Sequence, residues 1–157
     1  MKKYIFTIFL GLGLILQNFL TVCAFGGETD LIKAVKDPKT TPGMITALIK
    51  NGADVNARDE QGVTALMYAA ENNQNLEVAK ALISAGADVN ARGEKGVTAL
   101  MEAAKKNTNP KVIKTLIENG AEISDKDELL NFLEENENIE KNQDYWDLRD
   151  TIYNKMK

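Results

Sequence analysis

The stretch GVTALM at residues 62–67 is repeated letter for letter at residues 96–101. A second stretch, GADVNAR at residues 52–58, returns at residues 86–92, again 34 residues later. The same interval leads to GAEI at residues 120–123, which repeats the pattern in weakened form. A fixed period of roughly 20–50 residues is typical of proteins in which one small structural unit is stacked several times.

The sequence of each unit predicts two short helices followed by an extended polar finger with a tight turn. Thr64 and Thr98 can each begin a first helix, because a threonine hydroxyl accepts an otherwise unpaired backbone N–H. Turn residues at 72–75 end that helix, and a second helix follows with apolar side chains three and four positions apart. Its stripe is Leu76, Ala79, Leu82 and Ile83. Gly86 suits the left-handed end of the second helix, and residues 88–96 predict the finger.

These positions resemble the ankyrin-repeat family. That family has a Gly-x-Thr-Pro-Leu-His-x-Ala-Ala first helix, a Leu-Leu pair in its second helix and a Gly-Ala-Asp-Val-Asn ending. The matches in one register are Gly62, Thr64, Leu66, Ala69, Ala70, Leu82, Ile83, Gly86, Ala87, Asp88, Val89 and Asn90. Those in the next are Gly96, Thr98, Leu100, Ala103, Ala104, Leu116, Ile117, Gly120 and Ala121. The resemblance implies an all-α solenoid of helix pairs with short hairpin-like fingers.

The chain also departs from the family pattern. Ala65 and Ala99 stand where the family has proline, and Met67 and Met101 stand where it has histidine. We therefore expect thioether packing in place of the family's histidine–threonine hydrogen bonding. The unit is one residue longer than is usual in the family, and we place the extra residue in the turns at 72–75 and 107–110.

We divide the chain into a signal segment and about four repeats, two of them degenerate caps. The divisions are residues 1–24 (signal peptide), 25–58 (N-terminal capping repeat), 59–92 and 93–124 (full repeats) and 125–157 (C-terminal capping helices). In the N-terminal cap, residues 37–43 are expected to form the turn between helices. In the C-terminal cap, helices are expected to end near Asn136 and to begin at Asp144, with Trp146 packed inside the cap.

The first residues are typical of a bacterial secretory signal peptide. Lys2 and Lys3 precede an apolar run at 4–16, and the small residues around Ala24 suit cleavage after it. Removal of the two lysines takes the formal net charge from −4 to −6. We therefore expect an exported protein, periplasmic or secreted. Two alternatives stay open: an uncleaved membrane anchor, and a lipoprotein with its lipid on Cys23.

Composition excludes much catalytic and binding chemistry. The chain has no histidine, so it lacks the usual neutral-pH base and the commonest transition-metal ligand. Its single cysteine, Cys23, lies in the signal segment. The stretches DVN at 54–56 and 88–90 resemble the openings of calcium loops, but Arg58 and Arg92 occupy the ligand position that follows each of them. We expect no metal, cofactor or small-molecule substrate, and no nucleic acid because the chain is acidic. A carboxylate-based hydrolase is a remote alternative.

The family resemblance implies a non-catalytic module that binds a protein partner through its fingers and first helices. Carried over residue by residue, the surface comprises Arg58, Glu60, Gln61, Val63, Tyr68, Glu71, Asn72, Arg92, Glu94, Lys95, Val97, Glu102, Lys105 and Lys106. Tyr68 is the expected anchor, since aromatic side chains dominate interface hot spots. Arg58 and Arg92, one unit apart, could make paired carboxylate contacts. The alternative is that these charged side chains only keep exposed turns hydrated and bind no partner. We expect a monomer.

Overall fold

A computed structural model describes residues 28–72 and 76–155. The expected signal peptide, most of the turn at 72–75 and Met156 therefore lie outside the described residues. Within them the chain forms eight α-helices and no strands. In chain order the helices are α1 (Glu28–Lys36), α2 (Pro42–Lys50), α3 (Ala65–Glu71), α4 (Leu76–Ser84), α5 (Ala99–Lys106), α6 (Pro110–Glu118), α7 (Lys126–Glu135) and α8 (Gln143–Lys155).

The helices form a two-layer stack. The first helices of the pairs, α1, α3, α5 and α7, pack side by side in one layer, and α2, α4, α6 and α8 pack in the other. Buried apolar side chains from Leu31 to Ile152 make one continuous core between and within the layers. The helix pair α3 and α4 and the helix pair α5 and α6, which come from the two repeated segments, thus lie next to each other, which confirms the expected all-α solenoid.

The helix boundaries follow from local chemistry. The hydroxyls of Thr64 and Thr98 accept the backbone N–H groups of Met67 and Met101 at 3.4 and 3.3 Å, as the sequence predicts. Gly86 follows α4 at φ = 91°, a left-handed conformation that other residues adopt only with strain.

Two predicted turns are shorter than expected. We placed Pro42 in the turn at 37–43 and Pro110 in the turn at 107–110, but each begins a helix. Proline suits this position because its missing N–H would have had no partner in the first helical turn. Thr41 and Asn109, the residues before the prolines, cap these helices with their side chains.

Both fingers contain the tight turn that the sequence predicts. Finger A (residues 58–63) is closed by a bond from Asp59 N to Val63 O at 3.1 Å. Finger B (residues 92–97) has the equivalent bond from Gly93 N to Val97 O at 2.8 Å. The tip of finger B is a 3₁₀ turn, Glu94–Gly96, in which Lys95 has φ = 60°. Each finger is thus a tight backbone turn.

Several side chains differ from their expected burial. Met67 is buried as predicted, whereas Met101 is half-buried. In α4, Val78 is buried while Leu76 and Ile83, assigned to the apolar stripe, are half-buried. Trp146 was expected inside the cap but is 51% exposed.

Helix rotation explains the exposure of Trp146. The stripe of α8 formed by Tyr145, Leu148 and Ile152 is buried, and α8 packs against α6. Successive helical residues point about 100° apart, so the neighbour of a buried Tyr145 is turned away from that stripe. Trp146 instead meets the ring of Tyr145 edge-on, with ring centroids 5.2 Å apart.

Asparagine side chains join each unit to the next. Asn56 donates to Gly86 O at 3.2 Å and accepts from Asp88 N at 2.7 Å. Asn90 makes the same two bonds one unit later, to Gly120 O and from Glu122 N. We call these contacts the asparagine ladder. Asp54 and Asp88 lie inside its turns, where each carboxylate accepts a backbone N–H two residues on.

Candidate protein-binding surface

A groove runs between finger A and finger B and along the exposed edges of α3 and α5. We call it the central groove; its volume is about 330 Å³. Nine of the fourteen residues predicted for partner binding line it: Gln61, Val63, Tyr68, Glu71, Glu94, Lys95, Val97, Glu102 and Lys106. Gly93 and Met67 also line it, and Met67 is buried in the core as predicted. Residues that are distant in sequence thus meet on one surface.

The other five predicted residues lie outside the central groove. Asn72 lines a side groove of about 420 Å³, which shares Tyr68, Glu71 and Lys106 with the central groove. Lys105 points away, with its Nζ 4.1 Å from the centroid of the Phe132 ring. Glu60 is exposed on finger A, and the two arginines occupy the bases of the fingers.

Tyr68 separates the two grooves and is held on both sides. Its hydroxyl donates to Asp59 Oδ2 at 2.8 Å, and the Nζ of Lys36 lies 4.0 Å from the ring centroid. Asp59 also accepts the backbone N–H groups of Gln61 and Val63 at 3.0 and 2.9 Å. One carboxylate therefore closes finger A and fixes the ring.

This contact perturbs the titration of both partners. Burial, reinforced by the hydrogen bond to Asp59, raises the pKa of Tyr68 above its ordinary value of 10.0. Burial also acts to raise the pKa of Asp59. The hydrogen bonds from Tyr68, Val63 and Gln61 outweigh it, and the pKa of Asp59 falls below its ordinary value of 3.8. The neutral phenol and the ionised carboxylate are thus the forms that the fold stabilises.

An ion-pair network crosses the groove from one unit to the next. Lys106 Nζ lies 3.1 Å from Glu71 Oε1 on α3 and 2.9 Å from Glu102 Oε2 on its own helix. The hydrogen bond to Glu102, opposed by burial and supported by Glu71, raises the pKa of Lys106. Two carboxylates share one ammonium, so this wall of the groove carries one net negative charge.

The two arginines have different environments. Arg58 Nη1 donates to Gly62 O at 3.2 Å within finger A, and to Arg92 O at 2.6 Å in finger B. Arg58 therefore joins two fingers. Arg92 is exposed, and its guanidinium has no hydrogen bond or ion pair with residues 28–72 or 76–155.

Sequence reasoning missed a second set of joining residues. Asn107 is fully buried and donates to Ala70 O at 2.6 Å, across the boundary between units. Asn136, 4% exposed, donates to Ala104 O at 3.0 Å and Asn107 O at 2.9 Å. The signal was an asparagine just after the first helices α5 and α7, which we interpreted as a turn former alone.

The described residues give no sign of a metal centre or a membrane span. Across 28–72 and 76–155, no three His, Cys, Asp or Glu side chains are grouped so that they could hold a metal ion. None of the helices in this part of the chain combines the length and the apolar character needed to cross a bilayer.

Stacked helix pairs with a shallow groove along one edge define the class of helical-repeat proteins. A family model described as ankyrin repeats, in three copies, matches residues 17–127. The match covers more than half of the chain, so the chain belongs to the ankyrin-repeat family. The matched region begins within the segment expected to be the signal peptide and ends at the start of α7. No curated protein sequence matches the chain. Ankyrin repeats generally mediate protein–protein interactions and are typically non-catalytic.

Proposed function

We propose that this chain is a monomeric, non-catalytic module that binds a protein partner in the central groove, outside the cytoplasm. The observation that supports this most is the convergence of nine predicted residues from two units on one groove. We propose no nucleic acid, cofactor or small-molecule substrate. The formal net charge of −4 opposes binding to phosphate backbones.

The composition of the groove fits a protein interface. Val63 and Val97, both half-buried, provide an apolar strip beside the buried Met67, and Glu71 and Lys106 belong to the charged margin. Protein interfaces combine an apolar centre with a polar rim in this way. A partner side chain could therefore bury apolar surface between the fingers while polar groups around it fix its orientation.

Tyr68 supports the same proposal as a preorganised anchor. Its hydroxyl bond to Asp59 and its contact with Lys36 restrict the ring before any partner arrives. Ordering a side chain during binding costs about 0.5–1.5 kcal/mol. A ring that is already fixed avoids most of this cost, so a half-buried tyrosine at a groove wall is a suitable hot spot.

The location outside the cytoplasm rests on the N-terminal sequence. Lys2, Lys3 and the apolar run at 4–16 support export, with cleavage after Ala24. Mass spectrometry of the N-terminus of the protein recovered from its native cell tests this. A chain that begins at Phe25 supports a free exported protein. A lipid on Cys23, or an intact N-terminus, supports a membrane-tethered scaffold instead.

Affinity capture with a matched pair of variants tests the groove. Val97→Glu places a charge on the half-buried apolar strip, whereas Glu118→Lys changes an exposed residue of α6. We expect Val97→Glu to reduce retention of the partner by at least about tenfold, equivalent to about 1.4 kcal/mol. Glu118→Lys should retain the partner as the unaltered chain does. Full retention by a folded Val97→Glu variant would contradict the proposed site.

A further inference from the structure

The outer edge of finger A is covered by finger B, which follows it in the chain. Arg58 Nη1 at the base of finger A donates to Arg92 O of finger B at 2.6 Å. In the opposite direction, Glu94 N of finger B donates to Gln61 O of finger A at 3.2 Å. Finger A thus offers one donor and one acceptor, and the backbone of finger B satisfies both.

Within residues 28–72 and 76–155, no further finger covers finger B. Asn90, the last residue of the ladder before finger B, corresponds to Ser124 one unit later. The next residue, Asp125, already caps α7, since its Oδ1 accepts from Asp127 N and Glu128 N at 2.8 and 3.0 Å. The seven residues 91–97 therefore have no counterpart in the last unit.

The outer edge of finger B nevertheless keeps the chemistry that finger A uses. Arg92 is the counterpart of Arg58, and its guanidinium is exposed without a hydrogen bond in the described residues. Lys95 is the counterpart of Gln61, so its carbonyl is the equivalent acceptor. Lys95 is also the one non-glycine residue in the described part of the chain with positive φ, at 60°. Backbone strain of this kind often accompanies binding sites.

We infer that the outer edge of finger B is a docking edge for an extended segment of the protein partner. A carbonyl of that segment accepts from the guanidinium of Arg92, and one of its N–H groups donates to the carbonyl of Lys95. The occupant thus repeats the contacts that finger B makes to finger A. Addition of an extended segment to an exposed backbone edge is a general mode of peptide recognition. This inference rests on the proposed function, since it assigns part of the same partner's contact.

A graft of the missing finger tests the edge. Residues 91–97 are inserted a second time between Ser124 and Asp125 of the full chain, so that the new finger competes for the edge within the same molecule. The control inserts the same seven residues between Glu137 and Asn138, two exposed positions after α7. The probe is the purified protein that the unaltered chain retains, and its Kd is measured for each variant.

We expect the graft to weaken binding at least tenfold, and the control insertion to bind as the unaltered chain does. The graft should also raise the melting temperature relative to the control insertion, because it completes the contacts of Arg92. Arg92→Ala, which leaves the fold intact, should weaken binding severalfold without moving the melting temperature. Arg92→Ala keeps the inference testable even if the graft does not fold.

Full-strength binding by the folded graft, or by Arg92→Ala, overturns the inference. Val97→Glu separates this failure from a failure of the proposed function. Loss of binding in Val97→Glu with unchanged binding in the graft rejects the docking edge and leaves the groove proposal standing. Unchanged binding in all of these variants rejects both.

Discussion

At the scale of single residues, buried amides hold neighbouring units together where the helices end. Asn107 donates to Ala70 O across the unit boundary, and its Oδ1 accepts from Asn109 N at 2.8 Å. Buried carbonyls at helix ends need a partner, because an unpaired polar group away from water is destabilising. These asparagines supply that partner and fix the spacing between units in the same contact.

Replacement of Asn107 by alanine should therefore destabilise the whole stack. We expect a loss of about 1–3 kcal/mol in the free energy of unfolding, because the carbonyl of Ala70 keeps its desolvation without its hydrogen bond. Urea unfolding measures the change. Asn119→Ala is the control, since Asn119 is exposed and bonds within its own helix to Thr115 O. Equal effects of the two substitutions would show that the bond across units has no special weight.

The arginines provide a second matched pair. Arg58→Ala removes two hydrogen bonds to finger carbonyls. We expect it to cost about 1 kcal/mol of stability, the typical net value of a hydrogen bond, since the site is exposed. Arg92→Ala removes no hydrogen bond within the described residues and should stay within about 0.5 kcal/mol of the unaltered protein. Thermal unfolding of the two variants side by side checks this; a larger loss for Arg92→Ala would reverse the assignment.

The contact between Tyr68 and Asp59 predicts a pH dependence with a defined sign. The folded pKa of Asp59 is lowered below 3.8, so its contribution to stability is complete above pH 3.8 and is lost as the pH falls through the folded pKa. The folded pKa of Tyr68 is raised above 10.0, so its contribution is complete below pH 10 and is lost as the pH rises through the folded pKa.

Asp59→Asn tests this dependence. The variant should be less stable than the unaltered protein at neutral pH, because an amide is a weaker acceptor than a carboxylate for three donors. The difference should shrink as the pH falls below 3.8 and through the lowered pKa of Asp59, because the carboxylate of the unaltered protein then becomes protonated in the fold. Chemical unfolding at a series of pH values measures it, and a difference that does not change with pH would contradict the role of Asp59.

At the scale of elements, the 34-residue repeat predicted more of the helix positions than the helix propensity of single residues could. It located the helix pairs, and Thr64 and Thr98 marked two helix starts, because a repeated cap and a repeated apolar spacing indicate the same boundary twice. The proline at 42 was harder to place. Proline suits turns and first helical positions equally, so its identity alone does not decide between them.

The candidate site was predictable in outline for the same reason. Family geometry placed nine residues on one groove, but it could not distinguish Arg58 from Arg92. The two arginines have identical neighbours before them in sequence. They differ because finger B follows finger A, whereas the described residues after finger B form no further finger. The segment that makes the difference lies about 34 residues away in the same chain. The residues next to each arginine therefore give no sign of it.

The interior of a central helix gives the sharpest test of element packing. Leu82 in α4 is fully buried among neighbouring units. Leu82→Ala should cost roughly 2–5 kcal/mol, since it removes buried methyl groups and leaves a cavity. Met44→Ala is the control, because Met44 on α2 is 51% exposed, and it should change stability by about 0.5 kcal/mol or less. A melting temperature that Leu82→Ala does not lower would mean that α4 is misplaced in the stack.

At the scale of the whole molecule, stability follows from contacts between neighbours. Among the described residues, each helix packs chiefly on its partner and on the helices of adjacent units. A chain of this kind behaves approximately as a one-dimensional array, in which the terminal units cap the apolar faces of the middle ones. Here the cap is α7 and α8, and Leu148 of α8 is fully buried.

A one-dimensional array predicts that the position of a defect decides how far its effect spreads. Leu148→Ala at the end should speed amide hydrogen exchange at least about tenfold in α7 and α8 and leave α3 largely protected, because a terminal pair can open alone. Leu66→Ala in α3, a residue that is 1% exposed, should speed exchange in every helix. A defect there interrupts the stack and leaves too few units on either side to stay folded. Hydrogen–deuterium exchange with mass spectrometry resolves the helices separately. Equal acceleration along the whole chain in both variants would show that the domain opens as one unit, and that the end pair does not act as an independent cap.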